Sequence, residues 1–188
     1  MAALIAFYSR ADENYFGGAC RYISVGNTEK AARMMAEVTG GDLFKIQQKV
    51  PYAADYQTCI AQARADLQAR ARPELTSWPE DLDRYDEIYL GYPNYWGTMP
   101  MAVYTFLEAF DWTGKIIHPF CTHEGSGLGR TERDIAETAR GAVVAKGLAI
   151  HGSGVEQAGK SIEGWCGKWS KSCSGTGPDR SAWSSPAE

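Results

Sequence analysis

The sequence predicts an α/β fold: a doubly wound, five-stranded parallel sheet with helices on both faces. Three observations carry this. Apolar runs and amphipathic stretches alternate as β-α-β-α-β-α-β-α-β-α, an order that right-handed crossovers turn into a parallel sheet. The first run, Ala2-Ala3-Leu4-Ile5-Ala6-Phe7-Tyr8, is apolar without interruption, as expected for a strand covered on both faces. Glycine, proline and short polar residues follow the first, third and fourth runs, where the carboxyl edge of such a sheet presents its ligand-binding loops.

The gross numbers set bounds. With 188 residues the chain is most simply one domain with a sizeable core. A net charge of -4 and the absence of a basic cluster argue against nucleic-acid binding. The N-terminus lacks a basic n-region and is no longer apolar by Arg10, so no signal peptide is expected. No run reaches membrane-spanning length. Five cysteines (Cys20, Cys59, Cys121, Cys166, Cys173) without a C-x-x-C pair suggest free thiols in a reducing cytoplasm.

Taken in order, Ser9-Arg10 ends the first strand and a polar excursion with Gly17-Gly18 at its middle runs from Ala11 to Val25. Gly26-Asn27-Thr28 opens a helix with Ala31, Met34, Met35 and Val38 at helical spacing, closed by Gly40-Gly41. Asp42 to Ile46 alternates as a second strand nearer an edge. From Tyr56 a long helix places Tyr56, Ile60, Ala63 and Leu67 on one stripe, and Pro73 closes it. Ile88-Tyr89-Leu90 is a third strand, expected to break at Gly91 and Pro93 before an aromatic elbow. Pro100 then opens a helix burying Val103, Phe106, Leu107 and Phe110. Lys115 to Cys121 is a fourth strand, with Pro119 at odds with pairing throughout. Thr131 with Asp134 resembles a helix-capping signal. Ala142 to Ala145 starts a fifth strand running towards Ile150. Val155, Ala158, Ile162, Trp165 and Trp169 form an amphipathic stripe. From residue 170 the composition changes to six serines, two glycines and two prolines, read as a tail outside the core.

Chemistry is expected where the loops after strands one, three and four converge. Gly26-Asn27-Thr28 at a helix N-terminus offers free N–H groups and the positive end of the helix dipole to an anion, with Ser9 adding a hydroxyl. G-N-T also serves commonly as a plain N-cap with a turn glycine. It lacks the G-K-[ST] of a nucleoside triphosphate loop and the G-x-G-x-x-G of dinucleotide binding. Tyr95 and Trp96 sit between a breaker and a helix start, where burying both is difficult, so a planar ligand stacked on them competes with a core role. Thr122-His123-Glu124-Gly125-Ser126-Gly127 has glycines that let backbone amides approach a ligand edge. Cys121, His123 and Glu124 together could suggest a thiol nucleophile or metal ligands. However, Cys121 ends an apolar strand, where a buried thiol is usual, and no second Cys/His pair completes a zinc set. Ser126 fails the G-x-S-x-G pattern of hydrolases because position 124 is Glu. A phosphate cradle without a cation, an aromatic ledge and an amide edge suit a phosphate-tailed planar heterocycle, and FMN fits that description.

Tyr8-Ser9-Arg10, Gly26-Asn27-Thr28-Glu29-Lys30, the run from Leu90 to Pro100, the run from Pro119 to Arg130 and Lys146 to Gly152 together resemble the flavodoxin-like FMN-binding family, in a bacterial branch with a lengthened first loop. The resemblance covers residues 1–169, leaving 170–188 as a Ser/Gly/Pro-rich tail. It implies strand order 2-1-3-4-5. The family's compact hydroxyl-rich phosphate loop is here matched at its start by Ser9 and Arg10 and at its end by Gly26, Asn27 and Thr28, with about fifteen residues inserted. By resemblance, Pro93, Asn94, Tyr95, Trp96 and Gly97 border the isoalloxazine, with Trp96 the stacking partner. Thr122, His123, Glu124, Gly125 and Ser126 line its other side.

The resemblance implies an FMN protein that carries electrons to a redox partner protein from the cytoplasm, with no membrane or nucleic-acid partner, no metal and no acid/base residue. Trp96 and Glu124 would disfavour negative charge on the reduced ring and lower its potential. Two alternatives remain: an NAD(P)H-dependent FMN reductase of small quinone-like acceptors, and a flavin-free binding module on the same fold.

Overall fold

The computed structural model describes residues 2–170, with side chains to Lys168. Five strand positions form one parallel sheet. The first strand, β1 (Ala2–Phe7), is flanked by β4 (Asp42–Lys45) on one side and β5 (Tyr85–Pro93) on the other. Beyond β5 lies β6 (Ile116–His123), and the fifth position is filled by two short pieces, β7 (Val143–Val144) and β8 (Leu148–His151). This is the expected 2-1-3-4-5 order. Alternation along each strand sends residues to two cores. Leu4, Ala6, Tyr8, Ile88, Leu90 and Tyr92 pack under α3 (Met101–Glu108) and α4 (Thr131–Thr138), while Cys59 and Ala63 of α2 (Tyr56–Ala69) form a small separate cluster with Tyr52. Ile5, Phe7, Tyr89 and Phe120 pack under α1 (Asn27–Thr39) and α5 (Gly159–Ser170), the latter preceded by a 3-10 turn at Gly152–Gln157. Residues buried on both faces explain why β1 reads as an unbroken apolar run.

Several local expectations change. Gly91 and Pro93 do not break the third strand; β5 continues through both, pairing Gly91 with Phe120 and Pro93 with Thr122. Gly91 is required by packing: a Cβ there would fall inside the ring of buried Phe120, 2.8 Å from Cε1 and closer still to the other ring-tip atoms. The polar excursion after β1 is a β-hairpin, β2 (Asp12–Phe16) and β3 (Ala19–Ile23). Its two-residue loop, Gly17-Gly18, has φ of +59° and +79°, as a type I′ turn requires.

Pro119 leaves its mark on the fifth position. The carbonyls of Lys115 and Ile117 accept from Val143 and Ala145, whereas Thr122's accepts from Asn94 on the β5 side. That alternation directs Pro119 towards the last strand, which is interrupted between Val144 and Leu148, opposite the missing donor. The Gly147 N–H in that gap goes to Glu132 Oε1 at 2.7 Å. The capping signal at Thr131 also fails: its hydroxyl donates to the Leu128 carbonyl, and Asp134 serves other partners. On α2 the buried positions are Cys59 and Ala63, while Tyr56 and Ile60 turn to a cleft. The expected tail lies outside the described residues except for Ser170, which ends α5. No helix of the described residues is long and apolar enough to cross a membrane.

Candidate functional site

The loops after β1, β5 and β6 do converge at the carboxyl edge of the sheet, around a cleft of about 370 Å³. That is a size typical of small-molecule sites. At one end stands the N-terminus of α1. Its N-cap, Gly26, has φ -67° and ψ 153° and no side chain to offer. A Cβ on Gly26 would collide with Ser9 Oγ and the Arg10 carbonyl, so only glycine lets the helix start so close to the end of β1. Ser9 Oγ accepts the Glu29 N–H at 3.0 Å, and the Lys30 N–H returns to the Gly26 carbonyl. The N–H groups of Asn27 and Thr28 have no helical partner by position, and both residues line the cleft. The hydroxyls of Thr28 and Thr122 lie 2.7 Å apart, tying the first loop to the third.

At the other end is the aromatic elbow. Tyr95 and Thr98 exchange backbone hydrogen bonds of 2.8 and 3.2 Å around Trp96 and Gly97, whose φ values are +58° and +81°. The elbow is therefore a type I′ turn, with a tryptophan in a left-handed position that costs an L-residue about 1–2 kcal/mol. Asn94 secures it, accepting the Gly97 N–H at Oδ1 and donating from Nδ2 to the Gly127 carbonyl, each at 2.9 Å. The two aromatics separate. Trp96 is 44% exposed and pinned to α2: its Nε1–H donates to the Ile60 carbonyl at 2.9 Å, and the Arg64 guanidinium sits 5.0 Å over the ring. Tyr95 faces inward, its hydroxyl 3.9 Å from Cys59 Sγ and its ring 6.5 Å from those of Tyr8 and Tyr52. Burial pushes its hydroxyl pKa well above the ordinary value, so it is a neutral group there.

The third loop supplies a rim. His123 Nδ1 accepts the Gly125 N–H at 2.9 Å, and burial, then the His151 ring 5.4 Å away, lowers its pKa. Glu124 is a cross-tie. Its Oε2 accepts the Gly17 N–H at 3.1 Å, its Oε1 accepts the Ser153 N–H at 2.9 Å, and His151 Nδ1 lies 3.4 Å from Oε1. Cys121 is fully buried, and desolvation pushes its thiol to about 12, which removes the thiolate a nucleophile needs. Among the described residues no cluster of His, Cys, Asp and Glu could hold a metal ion.

Most of the predicted residues meet in the cleft: Ser9, Arg10, Asn27, Thr28, Pro93, Asn94, Tyr95, Trp96, Thr122, His123, Glu124 and Ser126. Gly26, Gly97 and Gly125 shape the loops without lining it. Sequence reasoning missed Asn14, Tyr15 and Phe16 of the hairpin, Tyr56 and Ile60 of α2, and Gly152. The hairpin spans the cleft. At its base Arg10 donates to the carbonyls of Glu13, Ala53 and Ala54, and Glu13 Oε2 accepts the Tyr56 N–H at 2.9 Å. Tyr15 stacks on Tyr56 with centroids 6.0 Å apart, and the tip is held by Glu124. The local signal for it was Gly17-Gly18 between two short runs, but nothing local said where the hairpin would lie. Chemically, the cleft offers an anion site at one end and an aromatic region at the other, with a His151–Ser153 pair 2.8 Å apart beside Glu124 on the rim.

A family model described as flavodoxin matches residues 19–168. Among solved structures, a protein from Bacteroides uniformis described as a candidate flavoprotein is 26% identical, with a TM-score of 0.69 over 88% of this chain and 97% of that one. A similar protein from Bacteroides eggerthii is 24% identical, with a TM-score of 0.66 over 86% and 97%. A flavoprotein from Lactobacillus acidophilus, solved in complex with FMN, is 22% identical, with a TM-score of 0.59 over 83% and 97%. No curated protein matches the sequence.

Proposed function

This chain belongs to the flavodoxin family, and on that premise we propose that its cleft binds FMN and that the bound flavin carries electrons to and from a redox partner protein in the cytoplasm. The observation that carries the reading is a single cleft with an uncapped helix N-terminus at one end and aromatic walls at the other. The residues present fit such a ligand. Gly26 lets the start of α1 pack against Ser9 and Arg10, so that Asn27 and Thr28 line the cleft, and Arg10, which also lines it, keeps a buried Nε without a partner. The L. acidophilus relative, solved with FMN, supports the same choice.

FMN, when bound, supplies reversible one- and two-electron transfer. The chain's own residues hold and shield it. Asn27 and Thr28 present N–H groups to the phosphate, with the hydroxyls of Ser9, Thr28 and Thr122 beside them. Tyr95 and Trp96 border the ring, and Thr122 to Ser126 close its other side. Glu124 fastens the hairpin tip to that side of the cleft. The unit doing this is residues 1–169.

A second reading rests on the hairpin. A ribbon fixed at both ends across the cleft narrows the approach of a large protein more than that of a small molecule. That favours an NAD(P)H-dependent reductase of quinone-like acceptors. Two measurements decide. Purified protein mixed with FMN should show flavin absorbance and release FMN on denaturation, binding FMN more tightly than riboflavin because of the phosphate. A protein that stays colourless refutes the reading and leaves a flavin-free binding module. Stopped-flow mixing with NADPH then separates reductase from carrier by whether the flavin bleaches rapidly.

A further inference from the structure

Arg10 stands in the sequence where the family's phosphate loop begins, yet its side chain goes elsewhere. Nη1 donates to the Glu13 carbonyl at 2.5 Å, and Nη2 donates to those of Ala53 and Ala54 at 2.7 and 2.5 Å. These partners adjoin the start of α2, whereas the phosphate cradle is at the start of α1. All three are neutral oxygens. No carboxylate of the described residues forms an ion pair with this guanidinium. Glu13 is occupied by the Tyr56 N–H and Asp55 by Thr58. Nε–H is buried and has no partner. A buried donor left unmade is rare and costly.

The surroundings identify the end of the cleft involved. Burial raises the pKa values of Tyr8, Tyr95, Tyr56 and Cys59, and the Arg10 charge pulls each of them back. Arg10 therefore acts among the aromatic groups, where the ring rather than the phosphate belongs. Glu124 on the opposite rim has its charge met by two N–H donors. Arg10 is the cation at the aromatic end; Asp55 feels its charge, but no carboxylate of the described residues closes an ion pair with it.

Resting on the reading that this cleft holds FMN, we propose that Arg10 is a ring-side residue whose guanidinium charge favours the reduced flavin over the oxidised. Two-electron reduction with uptake of one proton adds one negative charge to the ring. A fixed, partly desolvated cation beside that ring binds the more negative form more tightly. This opposes the lowering of potential expected from Trp96 and Glu124.

The test compares dissociation constants for FMN in the oxidised state and in the state reduced by excess dithionite, for the full chain and for Arg10→Lys and Arg10→Gln. Both variants lose the fork that ties the hairpin base to Ala53 and Ala54, so oxidised FMN should weaken in both alike. In Arg10→Gln alone, reduced FMN should weaken by a further factor on the order of tenfold. That factor corresponds to a potential lower by about 30 mV for the two-electron couple. Arg10→Lys, which keeps the charge, should hold the wild-type ratio of the two constants. An unchanged ratio in Arg10→Gln overturns the proposal, as does the same drop in both variants. A wild-type protein that takes up FMN in neither state overturns instead the reading on which the proposal rests.

Discussion

Gly91→Ala tests the packing that carries the ligand loops. Gly91 lies in the middle of the sheet, its carbonyl accepting the Tyr8 N–H at 2.9 Å and its ladder partner Phe120 laid over it. Phe120 is fully buried among Ile5, Phe7, Tyr89 and Ile150, so the ring has no free volume into which to tilt. Overpacking of this kind costs about 1–3 kcal/mol. Replacing glycine in a strand returns roughly 0.5–1 kcal/mol. The net loss should be about 1–2 kcal/mol, a sizeable part of a stability of roughly 5–15 kcal/mol. For a chain of this length that lowers Tm by roughly 2–8 °C. Urea titration followed by circular dichroism should show a lower midpoint with an unchanged slope. Phe120→Leu removes the ring tip, and in that background Gly91→Ala should gain roughly 0.5–1 kcal/mol, so the coupling in the double-mutant cycle equals the overpacking of about 1–3 kcal/mol. If Gly91→Ala costs the same beside Phe or Leu, the ring contact is not what demands glycine and the argument fails.

Three further outcomes are expected. Trp96→Gly should be more stable than Trp96→Ala by about 1 kcal/mol, because only glycine takes the left-handed turn position without strain, while both lose FMN affinity; equal melting temperatures would dispose of the strain. Glu124→Ala should speed hydrogen exchange at the Gly17 and Ser153 amides and FMN release together, since one carboxylate holds both N–H groups; protected amides in the variant would contradict the cross-tie. Burial works against the charge of Asp134, but hydrogen bonds from Thr98, Tyr104 and Arg130 prevail and hold its carboxyl below the usual carboxylate value. A pKa lower in the folded than in the unfolded state makes its stabilisation complete above about pH 4 and lost as pH falls through the folded value. Asp134→Asn should therefore cost about 1–2 kcal/mol at neutral pH, with the gap to wild type closing in acid; a gap independent of pH would rule out the linkage.

The alternation of apolar runs, the uninterrupted first strand and the helix start at Gly26-Asn27-Thr28 were legible because each depends on neighbours a few residues apart. The same holds for the convergence of three loops, which strand order alone dictates once the sheet is parallel. By itself the sequence thus determined the α/β sheet, the edge where the cleft opens and most residues that line it. The tertiary structure decided the rest. Gly91 reads locally as a strand breaker, and only register with Phe120 shows it to be the seat of a ring. Pro119 lies inside a paired strand because the neighbouring strand is interrupted opposite it. The residues between Ala11 and Val25 look like a polar loop, yet contacts with Ala53, Ala54 and Glu124, far away in sequence, stretch them across the cleft. Arg10 follows Ser9 beside the start of α1, yet the carbonyls of Glu13, Ala53 and Ala54 draw its guanidinium towards the start of α2. Periodicity is a property of neighbouring residues, whereas the partner of a charge or the seat of a ring is fixed only when distant segments meet.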